Sequence, residues 1–170
     1  MKLLLTGATG LVGSEVLRQA LSSPHVQKIT VLTRRPLPPS FSSPKLTVHI
    51  HSDFTSYPTF LDLAGHTACI WSLGPSSNGM KEKEYTVATY DYPLEFARAV
   101  VRAKEETEEP FNFVFVSARA ARQDEGKTSL MYGRVKVLYF LAQPNQNIFL
   151  FTLFHRDAQK RTCWHSPPPN

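Results

Sequence analysis

The chain has 170 residues, 42% hydrophobic and 19% charged, which is enough apolar material for one buried core and argues against wholesale disorder. Its net charge of +5 is scattered without the basic stripe that a nucleic-acid groove needs, and no run reaches the ~18–20 unbroken apolar residues of a membrane span. The two cysteines, Cys69 and Cys163, have no cysteine neighbour or metal-ligand spacing, so neither a disulfide framework nor a zinc site is expected, and a reducing compartment is the default.

Residues 2–6 read as a short strand whose Leu3-Leu4-Leu5 centre is apolar without alternation, as in a strand covered on both faces. Residues 11–21 carry Val12, Val16, Leu17 and Ala20 along one side of a helix, which Ser22-Ser23-Pro24 stops. A second strand follows at 28–33, then a Pro/Ser-rich loop to Pro44, then a third strand at 46–51. A short helix is expected at 57–63 and a fourth strand at 68–72. Residues 81–104 have helical periodicity through Tyr85, Ala88, Tyr92, Phe96 and Val100, with Pro93 set to kink or reset the helix. An acidic loop leads to a fifth strand at 111–116, a helix at 129–141 and a sixth strand at 148–154. Strands that alternate with helices predict an α/β, Rossmann-type doubly wound, mostly parallel sheet. The expected organisation is one domain over 1–154, an irregular tail over 155–170 and no internal repeat.

The first strand runs into Thr6-Gly7-Ala8-Thr9-Gly10-Leu11-Val12-Gly13. In a phosphate-binding turn the first glycine lets the chain leave the strand sharply. The second removes a side chain where a pyrophosphate must approach, and the third lets helix and sheet pack closely. The helix N-terminus then offers unpaired amides to the phosphate. The turn therefore predicts binding of a nicotinamide dinucleotide through Gly7, Ala8, Thr9, Gly10, Leu11, Val12 and Gly13. The second strand ends in Arg34-Arg35, where an NAD-preferring site usually carries an acid, so NADPH is expected over NADH. Asp53, after the third strand, is a candidate for the adenine amino group.

Tyr132 and Lys136 stand four apart on an expected helix and hence share a face. A nearby ammonium favours the phenolate, making the tyrosine a usable acid or base near neutrality, and the lysine can also hold the nicotinamide ribose. Ser117, ending the fifth strand, is placed to hydrogen-bond a substrate carbonyl or hydroxyl. His49 and His51 share a strand face but lack a third ligand, so no metal is expected.

The glycine turn, Arg34, Asp53, Ser117 and the Tyr132/Lys136 pair resemble the short-chain dehydrogenase/reductase superfamily. The Gly-x-x-Gly-x-x-Gly spacing is similar to its extended and atypical branch, the nucleoside-diphosphate-sugar epimerase-like proteins, among them small fungal NAD(P)-binding and TIP30-like proteins. The resemblance runs from Met1 to about Lys136. It implies Tyr132 as general acid/base, Lys136 as the residue that lowers its pKa and binds ribose, Ser117 as substrate-orienting, and Leu73 and Gly74 as lining the cofactor. After Lys136 the likeness stops, in the apolar run Val137-Leu138-Tyr139-Phe140-Leu141 and a Pro-rich end, and a truncated or misread C-terminal portion is the expectation. The reading is an NADPH-dependent oxidoreductase or epimerase-like enzyme acting on a carbonyl or secondary alcohol of a small molecule. The alternative is a non-catalytic NAD(P)-binding regulatory protein. Superfamily relatives often pair, so a homodimer is open. The expected location is the cytoplasm, with the mitochondrial outer surface as the alternative.

Overall fold

The computed structural model describes residues 1–57, 61–105, 109–117, 135 and 148–154, the last segment by its backbone alone. Six strands form one sheet: β1 (Lys2–Thr6), β2 (Lys28–Thr33), β3 (Leu46–Ile50), β4 (Ala68–Trp71), β5 (Phe111–Ser117) and β6 (Ile148–Phe154). Their spatial order is β3-β2-β1-β4-β5-β6 and every pairing is parallel. This is the Rossmann-type doubly wound arrangement, in which the strand order reverses between β1 and β4. All six strands therefore end at the same edge of the sheet.

The apolar strands divide their side chains between two covered faces. On one, Leu3, Leu5, Ile29, Val31 and Ala68 pack with Leu17 and Ala20 of α1 (Leu11–Ser22). On the other, Leu4, Leu32, Cys69, Trp71, Phe111, Phe113 and Phe115 pack with Phe96, Ala99 and Val100. Leu4 and Leu5 are fully buried, and each such leucine contributes about 1.5–3 kcal/mol relative to an exposed one. The second face is aromatic. Phe96 lies 5.2 Å from Tyr57, 5.3 Å from Trp71 and 5.7 Å from Phe113, centroid to centroid.

The long periodic segment over 81–104 resolves into three pieces: α2 (Glu82–Thr86), a π-helical turn (Val87–Asp91) and α3 (Tyr92–Lys104). Pro93 stands at the start of α3 and has no N–H to offer the carbonyl four residues back. The wider turn before it, closed by the Tyr92 amide on the Val87 carbonyl, carries the chain into α3 without a break. Of the helix expected at 57–63, Leu61 is in 3₁₀ conformation, and a 3₁₀ turn follows at Leu63–Gly65, entered through Asp62 at φ 44°. Residues 58–60 lie outside the described residues, as does the expected helix over 129–141 apart from Val135, which is helical and buried.

Candidate functional site

The glycine turn sits at the switch point between β1 and β4. Gly7 has φ +71°, a left-handed conformation that L side chains rarely adopt. A Cβ there would stand 2.5 Å from the Ser72 carbonyl, just past β4. A Cβ on Gly13 would run into the Gly7 carbonyl oxygen and stand 2.6 Å from Ser72 Oγ. Gly7 and Gly13 are thus required by packing. Gly10 is different. Its φ is −87°, and the one atom near a Cβ would be the Gly7 oxygen at 3.3 Å. The fold has little need of glycine at position 10, and the bare backbone there leaves room for a group approaching from outside the chain.

Gly10 is also the N-cap of α1. It supplies no side chain to the cap, and the first turn carries no acidic residue. The Gly10 amide donates to the Gly7 carbonyl at 2.9 Å and the Ser14 amide to the Gly10 carbonyl at 2.9 Å. The amides at the start of an α-helix have no carbonyl of their own helix to bond, so those of Leu11, Val12 and Gly13 stand unpaired by the helix at the positive end of its dipole. Ala8 is fully buried, whereas Leu11 is 84% exposed. This is an anion-binding geometry.

Two hydroxyls that sequence reasoning passed over hold the turn in place. Ser72 Oγ donates to the Thr6 carbonyl at 2.6 Å, and the Leu73 amide donates to Thr6 Oγ1 at 3.4 Å. They tie the end of β4 to the end of β1, so Leu73 is brought against the turn. Gly74 is exposed, with nothing within 4 Å of a Cβ. The available signal was a Thr and a Ser, each at the polar end of an apolar strand.

At the end of β2, Arg34 and Arg35 are both exposed. The buried Thr33 hydroxyl donates to the Arg35 carbonyl at 2.8 Å and accepts from the Arg35 amide at 3.3 Å. The Thr33 carbonyl accepts from the His51 amide at 2.9 Å, which links this turn to the segment carrying Asp53. Asp53 is exposed and serves its own loop, accepting from the Thr55 hydroxyl at 2.5 Å, the Thr55 amide at 2.9 Å and the Ser56 hydroxyl at 3.1 Å. These bonds, the Thr55 hydroxyl first, hold its carboxyl below the usual carboxylate range.

Ser117 ends β5 on the same edge of the sheet. It is buried, and its hydroxyl finds no partner among the described residues. Tyr132 and Lys136 lie outside the described residues. The described residues contain no cluster of three or more His, Cys, Asp or Glu able to hold a metal ion, and no helix long and apolar enough to cross a membrane.

No family model matches the chain. It is 35% identical over 119 residues to the leucinostatins biosynthesis cluster protein T of Purpureocillium lilacinum, covering 69% of this chain and 42% of that protein. It is 32% identical over 124 residues to protein fmp-52, mitochondrial, of Neurospora crassa, covering 69% and 48% respectively. The chain thus spans less than half the length of these relatives. Among solved structures it is similar to MoeE5 in complex with UDP-glucose and NAD (TM-score 0.66, 21% identity, 89% of this chain and 53% of that one). It is also similar to the Bordetella bronchiseptica enzyme WbmG in complex with NAD (0.62, 16%, 89% and 52%). A third is the ADP-L-glycero-D-manno-heptose-6-epimerase of Helicobacter pylori (0.65, 15%, 89% and 53%). At these identities the likeness is one of fold.

Proposed function

We propose that this chain, which has the nicotinamide-dinucleotide-binding fold of the short-chain dehydrogenase/reductase superfamily in its epimerase-like form, binds NADP(H) and acts as an oxidoreductase or epimerase-like enzyme. The observation that carries the reading is the glycine turn at the β1/β4 switch point, with a bare Gly10 as the N-cap of α1. The amides at the start of α1 bind the pyrophosphate. Arg34 and Arg35 bind the 2′-phosphate, which suits guanidinium by charge and by its forked donors. Leu73, held against the turn by the Thr6 and Ser72 hydroxyls, borders the same crevice. Asp53 takes the adenine amino group.

A nicotinamide bound there supplies the hydride acceptor or donor. The chain supplies the proton chemistry: Tyr132 gives or takes a proton at its phenol oxygen, Lys136 favours the phenolate and holds the ribose, and Ser117 orients the substrate oxygen. The buried Ser117 hydroxyl, unpaired among the described residues, supports that role. The substrate is a small molecule bearing a carbonyl or a secondary alcohol.

The test is a fluorescence titration of the purified chain with NADPH and with NADH, alongside turnover of a carbonyl panel. NADPH should bind more tightly. Arg34→Ala should weaken NADPH by about tenfold or more and leave NADH nearly unchanged. Tyr132→Phe should abolish turnover while leaving NADPH binding intact. Failure of both dinucleotides to bind refutes the cofactor assignment, and binding without turnover refutes the catalytic one.

A further inference from the structure

We propose that Thr33 is a positioning residue for 2′-phosphate selection: its hydroxyl locks the turn that presents Arg34 and Arg35. The inference rests on the NADP(H) reading above and deepens it by naming what makes the basic turn selective. Thr33 is the last residue of β2 and is 5% exposed, while both arginines that follow it are exposed. Its hydroxyl grips residue 35 by both backbone groups, accepting from the amide and donating to the carbonyl. The Thr33 carbonyl in turn accepts from the His51 amide at 2.9 Å. The backbone around Arg34 is therefore fixed at both flanks, one of them by a single side-chain oxygen.

Simple polar satisfaction does not require that oxygen. Arg35 is exposed, so water would serve its backbone groups equally well. What the hydroxyl adds is a fixed turn. Neither Arg34 nor Arg35 takes part in an ion pair among the described residues, so both guanidinium groups remain available to an external anion. A long side chain loses rotamer freedom when it captures a ligand, and fixing its backbone beforehand reduces the ordering that binding still demands. The effect falls on the ligand group the arginines touch. NADH has no 2′-phosphate, so it should not register the change.

The experiment measures dissociation constants of NADPH and NADH for wild type, Thr33→Val and Thr33→Ser, with adenosine 2′-monophosphate as competitor and the thermal midpoint as a control on folding. Valine keeps the buried methyl and β-branch but removes the hydroxyl. It should weaken NADPH and adenosine 2′-monophosphate by roughly fivefold and leave NADH unchanged, as expected when ordering of the turn is deferred to the binding step. Serine restores the hydroxyl and should return NADPH binding to near the wild-type value. If wild type prefers NADPH but Thr33→Val keeps the same NADPH-to-NADH ratio, the positioning role is overturned and the cofactor reading stands. If both dinucleotides weaken equally as the thermal midpoint falls, the role is structural and the inference is likewise overturned. If wild type does not distinguish the two dinucleotides, the 2′-phosphate reading itself fails.

Discussion

Gly7, Gly10 and Gly13 look equivalent in the sequence, and the structure separates them. Gly7 is held at positive φ against Ser72, and Gly13 is pressed against the Gly7 carbonyl. Neither can accept a methyl group without displacing backbone. Gly10 can, with a shift of a few tenths of an ångström from the Gly7 oxygen. A second residue-scale feature lies away from the site. His66, which follows the 3₁₀ turn just before β4, is 1% exposed; its Nδ1–H donates to the Asp62 carbonyl at 2.8 Å and its Nε2 accepts from the Thr30 hydroxyl at 2.8 Å. Burial, assisted by Lys28 and Lys2 and opposed by the Asp62 backbone and side chain, pushes its pKa below the ordinary value near ~6.5. The folded state therefore favours the neutral ring. This contribution to stability is full above pH ~6.5 and declines as pH falls below it, because the unfolded chain takes up the proton first. Melting measured from pH 7.5 to 5 should show a fall in wild type that His66→Gln flattens; identical slopes would remove His66 from the account.

At the scale of elements, the aromatic layer connects the helical face to the site edge. Phe96 of α3 meets Trp71 near the end of β4, and Trp71 is followed directly by Ser72, which ties β4 to the turn. Phe96→Ala removes a fully buried ring from among Tyr57, Trp71 and Phe113 and should cost about 3–5 kcal/mol in denaturant unfolding. A loss below ~1 kcal/mol would mean that this layer does not bear on stability as described. The sequence made most of these elements legible because apolar runs and helical periodicity are local properties. Strand bounds agree to within one residue from Lys2–Thr6 through Phe111–Ser117. The π turn before Pro93 was not legible. Proline announces a disturbance, but whether the chain kinks or widens depends on the sheet against which it packs. The 3₁₀ turn at Leu63–Gly65 was also missed, since it depends on Asp62 adopting a left-handed conformation.

At the scale of the whole molecule, the parallel order β3-β2-β1-β4-β5-β6 gathers Thr6, Thr33, Trp71 and Ser117 at the carboxyl edge of one sheet, although they are far apart in sequence. The alternation of strand and helix made the parallel, doubly wound sheet predictable. The clasps made by Ser72 and Thr33 were not predictable, because each depends on which backbone group the fold brings within reach. Tyr132 and Lys136 rest on their spacing in the sequence. The proposed cofactor site rests on the turn, in which packing demands glycine at positions 7 and 13 but hardly at 10. The decisive measurement is calorimetric titration of NADPH into wild type and Gly10→Ala, with Gly13→Ala as the packing control. Wild type should saturate, and Gly10→Ala should keep its thermal midpoint within a few degrees yet bind at least about tenfold more weakly, while Gly13→Ala should lose stability and binding together. Absence of saturable binding by wild type, or equal affinity in Gly10→Ala, would contradict the account.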